Sequence, residues 1–122
     1  MKLVTNEIKR LKHATRFSMQ GMQQAWRCEA AFRFEVVLAA VLLPVACLLP
    51  VNYMERLALI STVFLVLIVE LLNSAVEAVV DRVSSDHHPL SGQAKDMGSA
   101  AVFLSLWLTI ITWGSIIWVS VL

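Results

Sequence analysis

Three stretches without a single charged residue dominate the chain: Val36 to Tyr53, Leu57 to Val69 and Met97 to Leu122. Hydrocarbon offers backbone N–H and C=O groups no partner, so such runs cross a bilayer as helices that satisfy their own hydrogen bonds. A helix begun near Ala30 extends the first run to the length of about 20 residues that a crossing needs. Pro44 is expected to bend it, and Pro50 with Asn52 to end it. The second run keeps its helical pattern through Glu70, Asn73 and Glu77 to Val80, just before Asp81-Arg82. The third is long enough to span with tilt and carries Trp107, Trp113 and Trp118 as interfacial anchors. With 58% hydrophobic and 16% charged residues, too little polar surface exists to cover a core in water, which excludes a soluble enzyme.

The expected architecture is an all-α membrane protein, one domain over residues 1–122. An N-terminal amphipathic surface helix occupies about residues 5–25, followed by crossings at about 30–51, 56–81 and 96–120. Ile8, Leu11, Thr15, Met19 and Met22 recur at helical spacing, with Lys9, Lys12 and Arg16 largely off that stripe, as in a helix lying on a leaflet. Seven of the ten Lys and Arg residues fall in the first 35 positions against three Glu, a local net charge of +4. Such a flank favours the cytoplasmic side of the inner membrane. Three crossings then put the polar segment Asp81 to Asp96 inside and the C-terminus outside. Basic charge without a second patch or aromatic platform is a weak signal for nucleic acid. Cys28 and Cys47 lack metal spacing and read as small apolar residues. The first apolar run starts late for a cleaved signal peptide, so the mature chain is expected to be the whole chain.

Carboxylates at membrane depth cost on the order of 2.5 kcal/mol or more each, so Glu70 and Glu77 need a reason to be there. At about 100° per residue, Glu70, Asn73 and Glu77 fall within a sector of about 60° on one helix face. They can act as glue between helices. They can also form a site, with Glu77 near the inner boundary and Glu70 roughly 10 Å deeper, one placed for a water-soluble ligand and the other for a lipid head.

Glu29 and Glu35 stand at the same inner interface, and Arg33 is spaced to pair with Glu29 on a helix. Alternatively, Glu29 shares a Mg²⁺ site with Glu77, since hard cations bind through one or two carboxylates plus substrate phosphates. Lys95-Asp96 and Gly98-Ser99 open the third crossing, where a cation and unfilled helix N-terminal amides suit a phosphate; capping is the plainer account. Neither G-x-x-x-x-G-K-[ST] nor G-x-G-x-x-G occurs, and His87-His88 lacks the companions of a zinc site.

Three stretches resemble the small integral-membrane diacylglycerol kinases of bacteria: Glu29-Ala-Ala-Phe-Arg-Phe-Glu35, Val69-Glu70-Leu-Leu-Asn73-Ser74-Ala-Val-Glu77-Ala-Val-Val-Asp81-Arg82, and Ser91-Gly92-Gln-Ala-Lys95-Asp96-Met-Gly98-Ser99-Ala-Ala-Val102. The similarity runs from about Arg10 to Trp118, in the same order of segments. It implies an ATP-dependent kinase that forms phosphatidate from diacylglycerol at the inner membrane, as a homotrimer with sites shared between subunits. By resemblance, Glu70 is the base on the lipid hydroxyl, Asn73 a supporting polar group, and Glu29 and Glu77 ligands of the divalent ions on ATP. Arg10, Asp86, His87, His88, Lys95 and Asp96 would lie against nucleotide or phosphate. Arg10, Ser18, Glu35, Arg56, Ser99 and Trp113 would meet the lipid substrate along with Glu70. Phe17 stands where the family pattern has a tyrosine, and Pro89 alters the loop before the last crossing.

The chemistry of the residues is consistent with that resemblance. Phosphoryl transfer needs positioning and charge neutralisation, and a partly desolvated carboxylate is a better proton acceptor than an exposed one. A related kinase acting on another lipid alcohol, such as undecaprenol, would have the same catalytic face. A small proton-coupled transporter would need Glu70 as its exchangeable acid and no metal pair.

Overall fold

The computed structural model describes residues 1–83 and 87–122, and among them all regular structure is helical. The elements are α1 (Lys2–Cys28), α2 (Ala30–Leu48), α3 (Tyr53–Val83) and α4 (Pro89–Ile116). A wider last turn follows over Ile117–Val121, where the Leu122 N–H reaches the Ile117 carbonyl at 2.9 Å. Helices α2, α3 and α4 with its last turn are each long and apolar enough to cross a bilayer.

The boundaries depart from the sequence reading in two informative places. α1 extends beyond the expected 5–25 at both ends and is separated from α2 by Glu29 alone, whose backbone is extended at φ −117° and ψ 107°. α4 begins at Pro89 rather than near 96. Proline at the first helical position brings a preset φ and a missing N–H that costs nothing there, and the His88 Nδ1 accepts the Leu90 N–H at 3.1 Å. Ser91 and Gly92, read as loop, therefore sit in the first turn, and the Gly92 N–H already bonds to the His88 carbonyl at 3.2 Å. The amides around Lys95 lie inside the helix and are not the open N-terminal donors expected for a phosphate. α2 continues through Pro44 as one helix.

α3 and α4 form an antiparallel pair held in one register from end to end. The Trp113 indole N–H donates to the Thr62 hydroxyl at 3.1 Å, and the Thr109 hydroxyl donates to the Ser105 carbonyl at 2.9 Å while approaching the Thr62 carbonyl at 3.5 Å. The Ser120 hydroxyl donates to the Glu55 carboxylate at one end, and Lys95 meets Asp81 at the other. Ala39, Ala46, Leu59, Val63 and Trp113 form the core, with Leu42, Leu67 and Ile116 packed around it.

This core lies toward the α2–α3 turn, which is closed by reciprocal capping. Asn52 Oδ1 accepts the Glu55 N–H at 2.8 Å and Glu55 Oε1 accepts the Asn52 N–H at 3.1 Å. Arg56 donates to the carbonyls of Ala46, Cys47 and Val51 at 2.7, 2.6 and 3.1 Å, satisfying the end of α2. The later acids of α3, Glu70, Glu77 and Asp81, and the N-terminal half of α4 are left for the opposite end.

Candidate active site

At that opposite end, a cleft of about 750 Å³ runs between α1 and the last turns of α3. Ser18, Gly21, Ala25 and Glu29 line one side, and Ser74, Glu77 and Asp81 the other. Helical spacing brings Glu29 to the cleft, because Ser18, Ala25 and Glu29 share one face of α1 and the Glu29 N–H still bonds to the Ala25 carbonyl at 2.8 Å. Periodicity on α3 does the same for Ser74, Glu77 and Asp81, which follow one another at three- and four-residue steps.

Glu70 lies one and two turns deeper and is only 4% exposed. Glu35 of α2 is 8% exposed and faces it, and Glu29 and Glu77 are close enough to Glu70 to act on it electrostatically. Glu29, Glu35, Glu70 and Glu77, from the α1–α2 junction, α2 and α3, are thus gathered in one region. Glu35 also borders a second, smaller cavity of about 120 Å³ lined by Leu38, Ala39, Val63, Val66 and Leu106.

Asn73 stands between these acids and α4. Its Nδ2 donates to Glu77 Oε1 at 3.4 Å, while its Oδ1 is buried against Gly98 without a hydrogen-bond partner among the described residues. The ammonium of Lys95 meets Asp81 Oδ1 at 2.6 Å and lies within electrostatic reach of Glu77. Among the described residues neither Glu29 nor Glu77 has a salt-bridge partner, and no three His, Cys, Asp or Glu side chains converge as a complete metal site. Two such carboxylates on one cleft fit an ion that takes its other ligands from phosphate and water.

The ion pair expected between Arg33 and Glu29 does not form. The Arg33 N–H keeps the one-turn bond to the carbonyl of Glu29, the residue that caps α2, at 3.2 Å, but its side chain turns the other way. The Arg33 guanidinium donates instead to the carbonyls of Trp26 and Arg27 at 2.8 and 3.1 Å.

Several other anticipated residues are spread along the molecule. Ser18 lines the cleft, with its hydroxyl turned back to the Ala14 carbonyl at 2.8 Å. Arg10 is exposed far up α1 and pairs with Glu7 at 3.2 Å. His87, Asp96 and Ser99 are exposed around the start of α4, as is His88, the cap of that helix. Arg56 and the buried Trp113 stand at the α2–α3 end, away from the cleft. Asp86 falls outside the described residues.

The chain matches known proteins over nearly its whole length. Residues 16–117 match the family described as prokaryotic diacylglycerol kinase. A relative named diacylglycerol kinase from Escherichia coli (strain K12) is 49% identical over 114 residues, covering 93% of this chain and 93% of its own. The protein of that name from Pseudomonas aeruginosa is 54% identical over 110 residues, with 90% and 89% covered, and that from Haemophilus influenzae 46% over 113, with 93% and 96% covered. This chain belongs to the prokaryotic diacylglycerol kinase family. Membership decides between the kinase and transporter readings in favour of a lipid kinase, and the three apolar helices fit a membrane protein. Within a diacylglycerol kinase of this family, Gly98 and Arg33 take roles that sequence reasoning did not give them: Gly98 contacts Asn73 rather than opening a phosphate site, and Arg33 secures the backbone next to Glu29 rather than pairing with its carboxylate.

Proposed function

We propose that this lipid kinase transfers the γ-phosphate of ATP to the primary hydroxyl of diacylglycerol, with Glu70 as the proton acceptor and Glu29 and Glu77 as the residues that hold the divalent ion of the nucleotide. The observation that carries the reading is the shared cleft. A carboxylate from the α1–α2 junction and one from α3 border the same space, and a buried third lies beside them.

The chemistry that bound Mg²⁺ supplies is neutralisation of phosphate charge. The remaining tasks fall to the chain. The lipid hydroxyl oxygen forms a bond to the γ-phosphorus as the bond to the β,γ-bridging oxygen breaks, and ADP leaves. Glu70 takes the hydroxyl proton. Its burial keeps competing water away and its depth suits a substrate arriving from the lipid. Asn73 holds Glu77 on one side and packs its Oδ1 against Gly98 of α4 on the other. Lys95, next to Asp81 and Glu77, contributes positive charge at the phosphate end, with Asp96, Arg10 and the His87–His88 segment assigned to the nucleotide and Glu35, Ser99 and Ser18 to the lipid, whereas Arg56 and Trp113 serve the α2–α3 turn and the core.

The remaining assignments follow from the same reading. The basic α1 lies on the inner leaflet of the bacterial inner membrane, the cleft faces the cytoplasm, and copies of the chain, three in the family pattern, cover the polar faces that three crossings cannot enclose. Transfer of labelled γ-phosphate to a panel of lipid alcohols in mixed micelles tests the assignment. Diacylglycerol is expected to be the best acceptor, and a preference for a polyprenol would redirect it. Glu70→Gln should abolish transfer while MgATP still binds; retained transfer removes Glu70 as the base.

A further inference from the structure

Arg33 is spaced to neutralise Glu29 but spends its guanidinium elsewhere. α1 stops at Cys28, and the Glu29 N–H still bonds to the Ala25 carbonyl at 2.8 Å, closing the last turn. The next carbonyls, those of Trp26 and Arg27, have no following helical N–H to accept, because the chain turns extended at Glu29 before α2 begins. Arg33 Nη1 donates to both, at 2.8 and 3.1 Å, while the Arg33 N–H bonds to the Glu29 carbonyl at 3.2 Å. One residue of α2 thus grips the end of α1 from the far side of the break, with its charge at the negative end of the α1 dipole.

We infer that Arg33 is a positioning residue for nucleotide binding: by tying the first turn of α2 to the Trp26 and Arg27 carbonyls, it holds the last turn of α1, and with it Glu29, at the cleft. The same bonds keep its cation off the Glu29 carboxylate, which remains available for the metal ion. No glycine or proline lies within the break, and no residue in it has a positive φ, so the local sequence does not itself demand an interruption there. The bonds of Arg33 give the two carbonyls left open there a partner. The inference rests on the reading of Glu29 as a holder of the nucleotide's ion.

The test uses the full-length protein in detergent–lipid micelles and calorimetric binding of the Mg²⁺ complex of β,γ-imido ATP, a probe that needs no turnover. Arg33→Ala is expected to weaken binding by about tenfold or more while kcat at saturating MgATP stays within about threefold, a split that general loss of folding does not give. Arg33→Lys keeps the charge but not the fork and should weaken binding by a smaller factor; it also serves if the alanine variant is not recovered folded. In a Glu29→Gln background, Arg33→Ala should add little, since both changes remove one contribution. Unchanged binding in folded Arg33 variants, or an equal further loss on top of Glu29→Gln, overturns the inference. If Glu29→Gln alone leaves binding unchanged, the ion-holding role of Glu29 fails first and the inference with it, whereas weakening by Glu29→Gln without weakening by either Arg33 variant removes Arg33 alone.

Discussion

Asn73 on α3 and Gly98 on α4 touch so closely that a Cβ placed on residue 98 would overlap the Asn73 Oδ1. The backbone at 98 is ordinary helix without positive φ, so the glycine serves close approach rather than an unusual conformation. It brings α4 against the residue that also reaches Glu77. Gly98→Ala should force the carboxamide to turn or the helices to part. The expected cost is about 1–3 kcal/mol of stability and at least about tenfold in kcat. Gly114→Ala, with nothing within 4 Å of the new methyl, should leave phosphate transfer unchanged. Thermal unfolding and transfer assays on the two variants separate the close contact from glycine content.

Removing the charge of Glu29 or Glu77 should weaken the hold on MgATP without disturbing the fold, since neither side chain is in a salt bridge among the described residues. Each Glu→Gln change is expected to raise the Mg²⁺ concentration for half-maximal rate by about tenfold or more, equivalent to about 1.4 kcal/mol. Excess Mg²⁺ should restore part of the rate, and chelation should abolish it in the parent protein. Both outcomes can be read from rate against Mg²⁺ at fixed ATP.

The parts of this arrangement that were legible in the sequence are those set by periodicity. Three apolar runs forecast α2, α3 and α4, and the spacing of Glu70, Asn73 and Glu77 put them on one face. A boundary between residues 25 and 30 was legible as the change from amphipathic to apolar pattern, but its narrowing to Glu29 alone was not, because the Trp26 and Arg27 carbonyls find their partner in Arg33 only once the helices are in place. The early start of α4 was hidden for the opposite reason. Pro89, Ser91 and Gly92 look like loop composition, yet proline at the first position and a histidine cap make that segment a helix start. Gly98 was read as a small residue at a helix start, and its contact with Asn73 stayed hidden because that role exists only once α3 lies beside it.

Lys95 is held at 2.6 Å from Asp81, and both side chains are substantially exposed. An exposed pair of this kind stabilises a fold by roughly 0–1 kcal/mol. Its value, on the proposed reading, lies in aiming the ammonium toward the phosphate end of the cleft. Lys95→Met is therefore expected to reduce kcat/KM for MgATP by about a hundredfold, and Asp81→Asn by about tenfold or less, with both unfolding midpoints near that of the parent. A loss as large for Asp81→Asn as for Lys95→Met would give Asp81 a direct part in binding.

The core offers the converse experiment. Leu59 is fully buried among Ala39, Ala46, Val63 and Trp113, eleven positions along α3 from Glu70, or about 16 Å at a helical rise of 1.5 Å. In a bilayer the cost of truncation comes chiefly from lost packing rather than from transfer out of water, because the surrounding lipid is as apolar as leucine. Leu59→Ala should then cost about 2 kcal/mol, near the low end of the range for buried leucines. Unfolding of the detergent-solubilised protein should move to lower temperature, while the KM values for MgATP and lipid and the rate per folded molecule remain those of the parent. A change in either KM would mean that the packing around Leu59 is coupled to the acids at the other end of α3.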